Sequence, residues 1–186
     1  ALEMGQQLTD TLVRAALDVL AIQFEYPKCG ENFQTGDLFR ELCFANHYIS
    51  VFRFEDENYL LDTYFSPSST IANGHKTKLL RLLCPPEESV TCNRVSVPRQ
   101  TIEDGCGLGT IAYSFLYGKL LQKQIILDDI FTRKLPYAEL ARWVENGLCN
   151  RCFEELPELF VPSDRPKRVR ATPAKITLEL SHPVHI

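Results

Sequence analysis

Apolar and polar residues repeat along the chain with two different periods, and these periods predict both helices and strands. Residues 8–24 carry apolar side chains at helical spacing, from Leu8 to Phe24, with Thr9 or Asp10 as the N-cap. The runs HYISVFRF and NYLLDTYF are rich in aromatic and β-branched residues, and the acidic turn EDE separates them. This second pattern predicts a β-hairpin.

Further helices and a strand follow from the same patterns. The segment GHKTKLLRLLCPPEE predicts a helix that is stopped by Pro85 and Pro86, and VTCNRVSVPRQ predicts a short strand. From Gly107 onward the apolar residues form one stripe, which predicts a helix with one buried face. The segment LPYAELARWVENGL predicts a last helix, which begins near Pro136 and ends at Gly147.

Length and composition indicate one domain followed by a tail. The chain has 186 residues, of which 45% are hydrophobic and 24% charged, as is typical of a soluble globular domain. After Leu159 the composition becomes Pro-rich and basic, so we expect a domain over residues 1–160 and a solvated tail over 161–186. In that tail RPKRVR could also be a nuclear address or a cleavage site. A net charge of -4 and the absence of a long apolar run give no reason to expect nucleic acid or a membrane as partner.

The cysteines bear on the compartment and on metal binding. Seven cysteines without a visible secretion signal predict reduced thiols and an intracellular location, in the cytoplasm or the nucleus. Only Cys149 and Cys152 have the spacing of metal ligands, and no second CxxC or HxxxH motif completes a zinc site. We therefore expect these two thiols in the turn that ends a helix, with no metal and no cofactor. A zinc-bound interaction domain is the alternative.

The segment PRQTIEDGCGLGTIAYSF places Cys106 between Gly105 and Gly107 at the start of a predicted helix. The unpaired N–H groups and the positive dipole end of a helix N-terminus favour a thiolate. The two glycines allow a tight turn and leave space for a substrate chain beside the sulfur. A small buried side chain without chemistry is the ordinary alternative. A nucleophile also needs a base, and the base needs a group that orients it.

Among the four histidines, His47 stands directly before an apolar strand, where its side chain can be held rigidly. His75 follows a glycine in a predicted loop, and His182 and His185 lie in the tail. Asp62 stands among leucines and aromatics of the next strand, where a carboxylate must accept strong hydrogen bonds. If the two strands pair, Asp62 comes close to His47 and can orient the imidazole. An isolated histidine at this position would instead be structural.

These residues carry a resemblance to a known family. The chain resembles the superfamily of ubiquitin-like-protein (SUMO) proteases and adenovirus-type cysteine proteases, which includes viral and mobile-element members, in the order of four residues: His47, Asp62, Gln100 and Cys106. The matching segments are NHYISVF, YLLDTYF and the Gln-x₅-Cys-Gly pattern in RQTIEDGCGLG. The N-terminal QLTDTLVRAALDVLAIQF is similar to the helix that opens many members, so the resemblance covers roughly residues 7–159.

The resemblance implies an α+β, papain-like cysteine protease fold. In that fold the central helix carries Cys106, and adjacent strands of an antiparallel sheet carry His47 and Asp62. It also implies that the Cys106 thiolate attacks a peptide or isopeptide carbonyl, while the Gln100 amide and the Cys106 backbone N–H hold the oxyanion. Tyr48 stands where SUMO proteases usually have a tryptophan that covers a Gly-Gly substrate tail, so a substrate contact is implied for Tyr48.

The substrate and the function class stay open at this point. A thiol protease of this type would act on a protein, either conjugates or precursors of a ubiquitin-like protein or a viral or mobile-element polyprotein. A non-catalytic protein-binding module that keeps the protease fold is the alternative from another class. The complete set of four residues favours the enzyme, since an inactive copy usually loses one of them.

Overall fold

The computed structural model describes residues 8–27, 36–64, 70–83, 90–158 and 174–178. These residues form helices and strands in the following order: α1 (Asp10–Phe24), β1 (Leu38–Phe44), β2 (His47–Phe54), β3 (Glu57–Leu61), α2 (Asn73–Leu83), β4 (Val90–Val95), α3 (Cys106–Leu121), α4 (Leu127–Thr132), α5 (Tyr137–Asn150) and β5 (Ala174–Leu178). The mixed α+β class is therefore confirmed. Pro85 and Pro86, which were predicted to stop α2, lie outside the described residues.

The strands form one sheet with the order β1-β2-β3-β4-β5. Strands β2 and β3 pair antiparallel, with Ser50 opposite Leu61 and Phe54 opposite Glu57, so the predicted hairpin is confirmed. Strands β3 and β4 pair in parallel, because the chain between them, which includes α2, returns to the same end of the sheet. The sheet is thus mixed, and only part of it has the antiparallel pairing that the resemblance implied.

Two-residue turns connect the first three strands. Ala45 and Asn46 join β1 to β2, and Glu55 and Asp56 join β2 to β3. All four residues have positive φ, from 49° to 62°, as the type I′ turns of tight hairpins require. The first turn leads directly into His47, so its backbone fixes where β2 begins.

Strand β5 lies within the segment that was expected to be a tail. Residues 174–178 pair antiparallel with β4, with Cys92 opposite Ile176. The sequence AKITL alternates apolar and polar residues in the manner of a strand, so the domain boundary at residue 160 excluded one strand of the sheet. The basic RPKRVR segment, His182 and His185 lie outside the described residues.

Helix α3 occupies the centre of the domain and packs against α1, α5 and strand β2. Every residue from Cys106 to Gly118 is buried, so the prediction of a single buried face was too narrow. Small side chains make this possible, because they let neighbouring elements approach the helix from several directions. At Gly118, for example, an added Cβ would lie 2.2 Å from Cγ of Phe24 on α1.

A buried pair of hydroxyls links α3 to the sheet. Ser50 on β2 and Thr110 on α3 are both 2% exposed, and Ser50 Oγ donates to Thr110 Oγ1 at 3.1 Å. The contact lies three residues beyond His47 and four beyond Cys106. It therefore holds the start of β2 and the start of α3 in a fixed relation.

The tight contact at Gly118 makes a test of the α1–α3 packing. We expect Gly118→Ala to lower the free energy of unfolding by about 1–3 kcal/mol, because the new methyl group must displace the Phe24 ring. Gly107→Ala is the matched control, since a Cβ there would meet Leu8 and Val13 only at 3.4 and 3.5 Å. Urea unfolding measures both variants. Equal stability of the two would contradict this account of the packing.

Candidate active site

Side chains from three separate segments meet where α3 begins. His47 is the first residue of β2, Asp62 directly follows β3, and Cys106 is the first residue of α3. Nε2 of His47 lies 3.0 Å from Oδ1 of Asp62, and the Cys106 thiol hydrogen-bonds the same imidazole. The Cys106 Sγ also lies 3.9 Å from the carbonyl oxygen of Asn46. The structure thus brings together the thiol, the imidazole and the carboxylate that the sequence singled out.

The hairpin register explains why Asp62 meets His47. Ser50 pairs with Leu61, so Asp62 falls opposite Ile49. His47 lies two residues from Ile49 and therefore on the same face of the sheet. Side chains at such diagonal positions are within reach of each other. The sequence left this register open, and the observed pairing supplies it.

Asp62 is held from more than one side. Its Oδ1 accepts a hydrogen bond from the Tyr64 backbone N–H at 2.9 Å, in addition to the His47 contact. The side chain is only 9% exposed. The buried Arg94 guanidinium interacts with it electrostatically. These contacts compensate a carboxylate that would otherwise be costly to bury, and they fix its orientation toward the imidazole.

His47 has a strongly perturbed pKa. Burial lowers the pKa of His47, but hydrogen bonds to Asp62 and to Cys106 raise it by more, so that the net effect raises the pKa to about 9. The imidazole is therefore charged at neutral pH, with a carboxylate on one side and the thiol on the other. Since Nε2 contacts Asp62, Nδ1 is the ring nitrogen left for Cys106.

A second histidine packs against the first. The His75 ring centroid lies 5.5 Å from that of His47, and His75 Nε2–H donates to the His47 backbone carbonyl at 2.8 Å. Burial lowers the pKa of His75, and the charge on the neighbouring His47 ring also lowers it. His75 was predicted to lie in a loop, but it lies in the first turn of α2. Its hydrogen bond to the carbonyl holds the backbone of His47 in place.

Cys106 opens into a cleft of about 330 Å³ that His47 and Gln100 also line. Glu103 and Asp104 contribute acidic groups to the same cleft. A separate and mostly apolar cavity of about 290 Å³ lies against both His47 and Asp62. The imidazole therefore faces an open, polar cleft and an apolar space.

The Gln100 side chain has a defined orientation beside this cleft. Thr63 Oγ1 donates to its Oε1 at 2.8 Å, and its Nε2 donates to the Ile102 carbonyl at 3.1 Å. The Gln100 backbone N–H donates to the Thr63 carbonyl at 2.9 Å. The predicted glutamine thus lines the same cleft as the thiol, and contacts at both ends hold its amide.

Tyr48 does not lie where the resemblance implied. Its side chain is 3% exposed, and its hydroxyl donates to Asp10 on α1. Neighbouring residues of a strand point to opposite faces, so a residue next to His47 turns away from the imidazole. The substrate contact implied for Tyr48 is therefore corrected: the residue joins β2 to α1 in the core.

Tyr64 is the aromatic residue that the sequence analysis missed. Its side chain is 48% exposed, it lines the cleft, and its ring centroid lies 5.9 Å from that of His47. Arg99 donates to the Tyr64 carbonyl at 2.6 Å and lies over the ring. The sequence signal that could have identified Tyr64 is the aromatic pair that follows Asp62 in DTYF, because a residue two positions beyond Asp62 stays beside the site.

The two glycines that flank Cys106 contribute packing rather than substrate space. An added Cβ at Gly105 would lie 2.9 Å from Ile102 and 3.0 Å from Tyr137, and one at Gly107 would face the core. Neither glycine lines the cleft. The left-handed residue in this turn is Asp104, with φ of 57°. The predicted substrate contacts of both glycines are therefore corrected.

Cys149 and Cys152 lie where α5 ends, as predicted. Both are free and exposed, and Arg151 between them ends the helix in a left-handed conformation. In the part of the chain that the structure describes, no group of three or more His, Cys, Asp or Glu side chains could hold a metal ion.

Within the same described ranges, no helix is both long and apolar enough to cross a bilayer. A scan against protein-family models and a search of curated proteins both gave no match for this chain.

Proposed function

We propose that this chain is a cysteine protease that hydrolyses peptide or isopeptide bonds in proteins. The observation that carries the proposal is the series of contacts from Asp62 to His47 to Cys106, made by residues from three separate segments. A structural role for any one of these residues would not require the other two. A thiol, a base and a group that orients the base are the parts that nucleophilic catalysis needs.

These contacts support one reaction sequence in which each of the three residues has a role. Asp62 holds Nε2 of His47, so Nδ1 is the nitrogen that carries the proton from Cys106, and the resting site is a thiolate beside an imidazolium. The thiolate then attacks the substrate carbonyl carbon, and the imidazolium returns the proton to the leaving amine. Water, deprotonated by His47, hydrolyses the resulting thioester and releases Cys106. The raised pKa of His47 favours this role, because the proton is still on the imidazole when the amine must leave.

The negative oxygen of the tetrahedral intermediate needs donors on the other side of the sulfur. Helix α3 begins at Cys106 without a side-chain cap, so its first N–H groups have no partner from the preceding side chain. The Cys106 N–H and the Gln100 Nε2–H are the donors that we assign to the oxyanion. The exposed Tyr64 ring beside the cleft offers a surface for an extended substrate chain.

Electrophilic probes test the activity and the substrate class together. The probes are ubiquitin, SUMO and peptide chains that each end in a thiol-reactive group, and intact mass spectrometry followed by digestion maps the adduct. We expect labelling of Cys106 and not of the exposed Cys149, which is the matched control. Labelling by the ubiquitin or SUMO probe would favour a deconjugase, and labelling by the peptide probe alone would favour a polyprotein protease. No adduct with any probe and no cleavage would leave a non-catalytic binding module.

Loss of the Gln100 amide is expected to affect the transition state more than the bound substrate. We expect Gln100→Ala to lower the acylation rate by about 10²–10³-fold with little change in substrate binding, the usual effect of removing one oxyanion donor. Gln100→Glu should be at least as harmful, since its carboxylate repels the oxyanion. Single-turnover kinetics measures both. The exposed Gln124→Ala is the control, and equal rates in Gln100→Ala and Gln124→Ala would remove Gln100 from the mechanism.

A further inference from the structure

Thr63 is a buried polar residue that contacts Gln100 twice, once at its backbone and once at its side chain. It is 5% exposed and follows Asp62 directly in the chain. Its carbonyl accepts the Gln100 backbone N–H at 2.9 Å, and its hydroxyl contacts the Gln100 side-chain oxygen at 2.8 Å. The segment that ends β3 is thereby tied to the segment that precedes α3.

The direction of the Gln100 amide follows from its two partners. The Ile102 carbonyl can only accept, so the amide nitrogen must face it, at 3.1 Å. The amide oxygen then faces Thr63, whose hydroxyl must be the donor. Ile102 uses one of the two N–H groups of the amide, and the second can serve an oxyanion in the cleft that Gln100 lines.

The Thr63 side chain is itself held in place by packing. A Cβ added at Gly109 on α3 would lie 3.4 Å from the Thr63 methyl carbon, so this methyl group lies close against the helix. A β-branched side chain has few allowed rotamers, and packing of the methyl group selects among them. The position of the methyl group therefore sets where the hydroxyl points.

We propose that Thr63 is a positioning residue that orients the Gln100 amide for the oxyanion, an inference that rests on the proposed function. Without the hydroxyl, the amide oxygen loses its donor and only the Ile102 carbonyl still holds the amide, so the terminal torsion, which is broad, is less restricted. An amide held by one contact instead of two directs its second N–H less precisely at the developing negative charge. The same turn of chain also holds Asp62, through the Tyr64 N–H, so it aligns both the triad carboxylate and the oxyanion donor.

Two matched substitutions separate the hydroxyl from the methyl group. We expect Thr63→Val, which keeps the shape and loses the donor, to lower the single-turnover acylation rate by about 10–100-fold with substrate binding nearly unchanged. We expect Thr63→Ser, which keeps the donor, to stay within about 3-fold of the wild type. In a Gln100→Ala background, Thr63→Val should cause no further loss, because the group it orients is gone. Independent, multiplying effects would overturn the proposal.

A second measurement does not depend on activity. The ¹⁵N-¹H signals of the Gln100 side-chain amide, assigned by their loss in Gln100→Ala, should shift in Thr63→Val and stay in place in Thr63→Ser. If the wild-type protein labels no probe and cleaves nothing, the proposed function fails while these signals still report the orientation. If the wild-type protein is active and Thr63→Val matches it in rate and in amide signals, the positioning role is refuted. Should Thr63→Val fail to fold, Thr63→Ala also lacks the hydroxyl, and a wild-type rate with unshifted amide signals in Thr63→Ala would refute the positioning role.

Discussion

Cys106→Ser is expected to lower turnover by at least about 10⁴-fold while the protein stays folded. The side chain is nearly isosteric with cysteine, so the contacts with His47 and with the Asn46 carbonyl can persist. A hydroxyl is far less acidic than a thiol, so the serine keeps its proton in the resting state and does not transfer it to the imidazole. Steady-state cleavage, or adduct formation where no cleavable substrate is found, measures the loss. Near-ultraviolet circular dichroism confirms that the fold is retained.

Other cysteines supply the controls for this result. Cys149→Ser removes an exposed thiol at the end of α5 and should leave turnover unchanged. Cys92 should react slowly with alkylating agents in the native state, because burial raises the pKa of its thiol to about 12. Cleavage by Cys106→Ser at the wild-type rate would refute the assignment of the nucleophile and the mechanism with it.

His47→Ala is expected to lower the activity by about 10⁴–10⁶-fold, since the base and the later acid are the same side chain. Asp62→Ala should cost less, because an imidazole remains although its orientation is lost. Asp62→Asn should be about as harmful as Asp62→Ala, since an amide can favour the wrong imidazole tautomer. The ratio of the three rates under single-turnover conditions is the measurement. A His47→Ala enzyme more active than Asp62→Ala would contradict these roles.

The pH dependence of the same variants follows from the sign of the pKa shift. The pKa of His47 is raised from 6.5 to about 9 in the folded protein, so protonation stabilises the fold. This contribution is fully present below about pH 6.5 and is lost as the pH rises through about 9. The stability difference between the wild type and His47→Ala should therefore shrink over that interval in urea unfolding. In kinetics, the alkaline limb of kcat/KM should move to lower pH in Asp62→Ala, because Asp62 helps to raise this pKa.

The elements with regular local patterns were predictable from the sequence. Helix α1 has a helical apolar stripe and a Thr9 cap, and its bounds agree with the prediction. The hairpin of β2 and β3 has aromatic and β-branched runs on both sides of a short turn. The position of Cys106 at the start of a helix followed from the adjacent glycines. These features depend on residues close together in the chain, which is why the sequence contains them.

Strand β1 was not predicted, because charged residues interrupt its apolar pattern. Arg40 is 5% exposed and donates to the carbonyl of Phe39 at 2.7 Å. Glu41 is an ion-pair partner of Arg14 on α1, with its carboxylate 3.4 Å from the guanidinium, and burial raises its pKa. Such side chains are tolerated in a strand only after the helix has packed against the sheet. No local pattern could indicate this.

The sequence predicted which residues form the site, but it did not predict which way all of their side chains point. The order of His47, Asp62, Gln100 and Cys106 was available from the sequence, and the structure brings these four residues to one region. The choice between Tyr48 and Tyr64 was not available, because it depends on which face of β2 meets the cleft and on how the chain turns after β3. Period-two alternation places Tyr48 and His47 on opposite faces of the strand, but alternation does not say which face meets the cleft.

The hydroxyl pair of Ser50 and Thr110 has a consequence for how this protein can be redesigned. The pair lies inside the domain, below the thiol and the imidazole, and it does not belong to the walls of the cleft. Loops that border the cleft can therefore be exchanged or lengthened to recognise other sequences without moving the two reacting groups apart. Engineering of specificity would thus begin at Glu103 and Asp104, which line the cleft, and would leave Gln100 and these two hydroxyls untouched.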